Sequence, residues 1–236
     1  MTDPVRHVVA MGGGQWYDDP VFRFLFELAD VPRPRVLRIP TATGDADRDV
    51  IAFYRAFPAH SFQASDLPLF ERTVQDLRSL VLGQDVVLVA GGNTANMLAV
   101  WRVHGLDTIL REAWEAGVVM AGGSAGGLCW FEAGTTDSFL LGHADPLHDG
   151  LGLVPGSFCP HYDSEPARRP GYHRLVGEGI LPAGLACDDL AAVHLEGRDV
   201  ERAIASAVGA GAYRVGPGDH GVVEEPITVQ RLEPVG

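Results

Sequence analysis

Val118-Val119-Met120-Ala121-Gly122-Gly123-Ser124-Ala125-Gly126-Gly127-Leu128-Cys129-Trp130-Phe131 is the stretch whose reading decides the fold. It opens as a short apolar run of the buried-strand type, passes through a G-x-S-x-G pattern centred on Ser124, and turns apolar again. A serine so placed stands on a sharp strand-to-helix turn, which its small neighbours permit because the chain passes close to adjacent backbone. The start of the following helix aims N–H groups and the positive end of its dipole at the same point, where a developing oxyanion would be stabilised. The pattern predicts a strand over 118–121 and a helix over 128–131 that Gly134 stops.

Working outward, Asp85 to Ala90 (DVVLVA) is a second buried strand, running straight into Gly91-Gly92-Asn93-Thr94 and a helix. In a parallel sheet both glycine-rich turns emerge at the carboxyl edge and are neighbours. The backbone N–H of Gly92 or Asn93, with that of Ala125, would then supply two oxyanion donors; a plain helix cap by Asn93 or Thr94 is compatible with that role. Further strands are expected at His7 to Ala10, Val36 to Pro40 and within Ser61 to Leu67. Helices are expected over Pro20 to Ala29, Asp47 to Ala56, Glu71 to Leu82, Asn96 to His104 and Leu106 to Ala116. The C-terminal third reads as short strands at Ala191 to Leu195, Ala212 to Val215 and Ile227 to Leu232. This alternation is that of an α/β protein, a mostly parallel sheet with helices on both faces, in one domain spanning 1–236.

Composition narrows the function. The formal charge is −13 over 236 residues, with 46% apolar and 21% charged residues and no run of basic side chains, so nucleic acid and anionic membranes are poor partners. The first residues lack a basic segment followed by an apolar one, and no apolar stretch is long enough to span a bilayer. The three cysteines, Cys129, Cys159 and Cys187, have neither metal-pair nor disulfide spacing and read as buried small hydrophobes in a reducing, cytoplasmic setting.

A serine of ordinary pKa needs a base. Of the nine histidines, His161 is favoured: it lies in Phe158-Cys159-Pro160-His161-Tyr162-Asp163, where an apolar segment gives way to a polar loop, and it follows Ser124 in the chain. His143, His148, His173 and His194 read as surface or loop residues. Neither a metal nor an organic cofactor is called for by this chemistry.

Three ordered pieces, VLVAGGNTANML (87–98), MAGGSAGGLCWFEAGTTDS (120–138) and FCPHYDSE (158–165), together resemble peptidase family S51, the peptidase E and cyanophycinase group. The MGGG end of the first strand (11–14) agrees with it. The resemblance implies a flavodoxin-like fold similar to class I glutamine amidotransferases, with serine replacing the cysteine nucleophile. It also implies Ser124 as nucleophile, His161 as base and the Gly92/Asn93 turn as part of the oxyanion hole. For the triad acid it leaves two candidates, Asp137, which follows a Thr-Thr pair similar to that of peptidase E, and Glu132. Peptidase E members cleave after an N-terminal Asp and cyanophycinases cut an Asp-backbone, Arg-decorated polymer, so the implied substrate is a small peptide with an Asp-related preference. Arg168, Arg169 and Arg174 are candidate cations for it, although the chain departs from peptidase E after His161. Two other readings stand beside this one, an α/β-hydrolase esterase and a non-enzymatic metabolite-binding member of the same fold. Trp130 and Phe131 could serve a homodimer contact or the core.

Overall fold

The structure, a computed structural model, describes residues 4–14, 20–56 and 62–233; Ser61, at the start of one expected strand, lies outside them. In chain order the first half comprises β1 (His7–Met11), α1 (Pro20–Leu28), β2 (Arg35–Ile39), α2 (Asp47–Ala56), β3 (Gln63–Asp66), α3 (Leu77–Leu82), β4 (Val86–Val89), α4 (Thr94–His104), α5 (Leu106–Glu115) and β5 (Val119–Gly123). There follow α6 (Ala125–Leu128), β6 (Phe131–Thr136), β7 (Asp145–Leu147), β8 (Val154–Cys159), α7 (Arg168–Gly177), β9 (Gly184–Cys187), β10 (Ala191–Glu196), β11 (Asp199–Ala205), β12 (Ala212–Gly218), β13 (Gly221–Ile227) and β14 (Val229–Arg231).

Two sheets result. The larger has eight strands in the order β14-β11-β10-β1-β5-β4-β2-β3. Its five strands from β1 to β3 are parallel, while β10 joins β1 antiparallel. Alternate residues of these strands feed two cores, as the pleat requires: Val9, Val36 and Val119 pack with Phe22, Leu25 and Phe53 of α1 and α2, whereas Val8, Leu37 and Met120 pack with Trp101, Leu110 and Trp114 of α4 and α5. Helices therefore cover both faces, and the apolar runs are continuous because both faces are buried. Truncating one of these fully buried tryptophans to alanine would cost about 3–5 kcal/mol.

The second sheet, six strands in the order β13-β12-β9-β8-β6-β7, carries α7 on one side and shares the larger core on the other through Phe131, Phe158 and Leu185. Its β6, β8 and β9 are mutually parallel. Trp130 and Phe131 are 0% exposed, which assigns them to the core rather than to a dimer contact.

Two helices are shorter than the sequence predicts. Asp76 accepts from Ser79 N–H and starts α3 there, while Arg72 donates to the carbonyls of Val74 and Gln75 and holds the preceding segment in a turn. After Ser124 the helix lasts four residues, and Phe131 begins a strand whose ring stacks on Phe158 at 4.9 Å. The three cysteines are buried free thiols, and burial pushes each of them up from the ordinary thiol range. No helix among the described residues is long and apolar enough to cross a membrane.

Candidate active site

Ser124 follows β5, which lies between β1 and β4, so the ends of all three strands meet at it. Its backbone is at φ 56°, ψ −120°, a region that costs a non-glycine residue about 1–3 kcal/mol. The strain has a visible cause. Gly122 and Gly126 back onto one another so closely that a Cβ on Gly122 would lie 2.4 Å from the Gly126 carbonyl oxygen, and one on Gly126 would lie 2.4 Å from that of Val89 in β4. The turn can close only with glycine at both positions, and closing it pushes Ser124 outward. His161 (φ 53°) and Leu190 (φ 63°) are also non-glycine residues with left-handed backbone, so strain gathers at this part of the molecule.

The second sheet supplies the imidazole. His161 follows the end of β8, and its Nδ1 is 2.7 Å from Asp189 Oδ1, which comes off the end of the adjacent parallel strand β9. The carboxylate hydrogen-bonded to the histidine is therefore neither candidate from the sequence, and a second one, Glu165, stands 4.0 Å from its Nε2. Glu132 stands on β6 and accepts from Gly156 N–H at 2.9 Å, and Asp137 is 3.3 Å from an Nη of Arg168. The helix does break before Glu132, but β6 carries its carboxylate to Gly156 N–H rather than to His161. The hydrogen bond to His161, and then one from Ser164, hold the Asp189 carboxyl below the ordinary Asp range despite its partial burial. Asp189 N–H donates to Asp163, which fixes the loop.

The end of β1 joins the two halves. Ser124 N–H donates to Met11 O at 3.1 Å and His161 N–H to Gly12 O at 3.2 Å, while Leu190 N–H donates to Gly13 O at 2.9 Å. A Cβ on Gly13 would stand 2.2 Å from His161 Cε1 and 2.4 Å from Asp189 Oδ1, so the imidazole and carboxylate lie directly against that glycine.

On the other side of Ser124, Asn93 N–H is taken by Ala42 O at 2.9 Å, and the Asn93 side chain caps α4 through Asn96 N–H and holds Ser138 O through Nδ2 at 3.0 Å. Asn93 thus orders the turn and does not itself offer an amide. Gly92, at φ 137°, and Ala125, first residue of α6, have no acceptor for their N–H among the described residues.

A cavity of about 450 Å³ opens over Ser124, lined also by Gly92, Asn93, Asp137, Phe139, Leu141, Glu165 and Arg168. Arg168 is the one of the three candidate arginines that reaches it. Its side chain is 3% exposed, with Nε on Glu165 (2.5 Å), Nη1 on Thr135 O (2.8 Å) and Nη2 toward Asp137. Arg169 pairs with Glu224, and Arg174 is 3.1 Å from Glu178. The opposite lip is apolar, Phe139 being 63% and Leu141 87% exposed. A larger cleft of about 580 Å³, near Pro155, Leu185 and Arg214, contains none of Ser124, His161 and Asp189. The cluster with metal-ligating spacing, His7, His194 and Glu196, lies at the other end of β1.

The model of peptidase family S51 matches residues 8–203, from the first strand to β11. The chain belongs to peptidase family S51. It is 43% identical over 234 residues to the uncharacterized peptidase YgaJ of Bacillus subtilis (strain 168), a match covering 97% of this chain and 100% of that one. Two crystal structures share its fold at 18% identity: a peptidase from an acI-B1 actinobacterium (TM-score 0.68, 95% of each chain) and a protein of Listeria monocytogenes EGD-e named for peptidase E (TM-score 0.61, 95% of this chain and 100% of that one). The protein is accordingly a serine-type S51 peptidase on an amidotransferase-like α/β fold, and the esterase and metabolite-binding readings are set aside.

Proposed function

We propose that this S51 peptidase hydrolyses short peptides through Ser124, His161 and Asp189, by way of an acyl-enzyme, with preference for an aspartyl residue at the cleaved bond. The reading rests on one observation: a strained serine at a cavity and a hydrogen-bonded His161–Asp189 pair are held by adjacent carbonyls at the end of β1. With Asp189 accepting from Nδ1–H, the His161 lone pair is on Nε2, the atom that takes the Ser124 proton as Oγ attacks the carbonyl. The amides of Gly92 and Ala125 receive the oxyanion. His161 returns the proton to the leaving amine, and water, activated by the same nitrogen, then releases the acid. Asp189 stays ionised throughout and stabilises the imidazolium.

Arg168 supports the aspartyl preference. A guanidinium has five N–H donors, and three of those on Arg168 hold Glu165, Thr135 and Asp137, leaving two for a substrate carboxylate in the cavity. Glu165 and Asp137, acidic and in the same wall, suit a free α-ammonium.

The test is hydrolysis of Asp-Leu, Asn-Leu, Ala-Leu and Lys-Leu by wild type and Ser124→Ala, with fluorophosphonate labelling in parallel. Expected are cleavage of Asp-Leu ahead of the others, labelling of wild type alone, and a loss of several orders of magnitude in the variant. Equal activity of Ser124→Ala would refute the nucleophile; equal rates for Asp-Leu and Ala-Leu would refute the aspartyl preference alone.

A further inference from the structure

We propose that His7, His194 and Glu196 form a binding site for one divalent transition-metal ion of the zinc class, which clamps β1 to β10 at the end of the sheet remote from Ser124. In the antiparallel pairing of these strands His7 stands opposite Glu196, and Val9 opposite His194. Side chains two residues apart share a face of a sheet, so the three side chains converge on the face that packs against α1. His7 Nδ1 and His194 Nε2 are 3.0 Å apart, their ring centroids are 5.1 Å apart, and the ligand atoms of all three residues lie within 4.8 Å of one another.

Two imidazole nitrogens each about 2.0–2.1 Å from a tetrahedral zinc stand roughly 3.3 Å apart. The observed pair needs to open by only a few tenths of an ångström to admit an ion. Two imidazoles and one carboxylate, with water in the fourth place, are a donor set for zinc, cobalt or nickel, whereas calcium and magnesium take oxygen ligands. His194 is 0% exposed, held edge-on by Phe24 at 5.3 Å, and its Nδ1 has no hydrogen-bond partner. In the metal-free chain Nε2 is paired with His7 Nδ1, and an ion seated between the two would replace that one hydrogen bond with two metal bonds. An ion has a way in, because His7 lines a surface cleft of about 470 Å³ with Pro4, Leu28 and Asp85. Arg202, opposite His194 on β11, opposes a cation here, so the Glu196 carboxylate is needed to balance it.

The site is tested on untagged, chelator-treated protein titrated with Zn²⁺ by calorimetry and with Co²⁺ by its visible absorption. Expected are one equivalent bound, a tetrahedral Co²⁺ spectrum, and a thermal midpoint raised by roughly 5–10 °C at a hundredfold excess over Kd. His7→Asn and Glu196→Gln should each weaken Zn²⁺ binding at least tenfold while keeping the metal-free midpoint and the peptidase activity. Absence of stoichiometric binding overturns the proposal, as does undiminished binding in His7→Asn, which would put the ion on other histidines. Because neither variant touches Ser124 or His161, failure here leaves the catalytic reading standing.

Discussion

Replacing Gly13 with alanine puts a methyl group where the His161 imidazole already is. Its Cβ would lie 2.2 Å from His161 Cε1 and 2.5 Å from Nδ1, against an ordinary contact of 3.4 Å or more, so the ring must retreat by about 1.2 Å. It cannot do so and keep the 2.7 Å bond to Asp189, whose Oδ1 would itself be only 2.4 Å from the new carbon. A misplacement of about 1 Å at a catalytic group costs on the order of 100-fold, or about 2.7 kcal/mol of transition-state stabilisation. The colliding atoms belong to side chains, so the fold has room to adjust. Gly13→Ala is therefore expected to lose at least 100-fold in kcat/KM on the best dipeptide while its thermal midpoint falls little. The neighbouring Gly12→Ala is the contrast, since its Cβ would stand 2.1 Å from the Asp188 carbonyl and 2.4 Å from that of Cys187, both backbone atoms. That variant should lose stability before activity. A Gly13→Ala enzyme within threefold of wild type would mean that His161 is not the base, and the reasoning would fail.

Asp189→Asn should lower kcat by about 10²–10⁴ with an unchanged thermal midpoint, by analogy with the measured effect of removing a triad carboxylate, whereas Glu132→Gln should change kcat less than threefold; steady-state kinetics on the three proteins decides between them. For pH, burial first, then the charges of His7 and Arg202, bring His194 down to about 4 from an ordinary 6.5. The unfolded chain then binds more protons than the folded one between those two values. Stability in metal-free protein is thus full above pH 6.5 and falls as pH drops toward 4, by on the order of 3 kcal/mol; urea midpoints that stay flat from pH 7 to 4.5 would contradict this.

Much of the larger sheet is legible because DVVLVA and VVMAG are apolar on both strand faces and each runs into glycine. The elbow at Ser124 is legible for the same reason. Asp189 is not, because what brings it to His161 is the parallel pairing of β8 with β9, a contact between segments that carry no local mark of being neighbours. Its one signal is GLAC running into Asp188-Asp189, a short apolar stretch ending in charge, of the same form as the VPGSFC run that ends at Pro160-His161. Glu132 and Asp137 are offered by resemblance alone, and neither residue's neighbours in sequence show that Glu132 turns to Gly156 and Asp137 to Arg168. His194 reads as exposed on polarity alone, and is buried because β10 is an interior strand flanked by β1 and β11.

The two halves of the site follow one rule applied twice. In the larger sheet Val89 pairs with Gly122, so the turns after β4 and β5 emerge side by side and bring Gly92 to Ser124. In the smaller sheet Cys159 pairs with Ala186, so the turns after β8 and β9 do likewise and bring Asp189 to His161. Ligand sites form outside the carboxyl ends of parallel strands, but neither sheet alone holds both the candidate nucleophile and the candidate base. What joins them is the glycine run after β1, whose carbonyls at 11 and 12 take the amides of Ser124 and His161. A side chain at 13 would stand where the imidazole and its carboxylate lie, and one at 12 would strike the carbonyls of Cys187 and Asp188, so Gly12-Gly13 shapes the candidate catalytic centre even though it carries none of the reacting atoms.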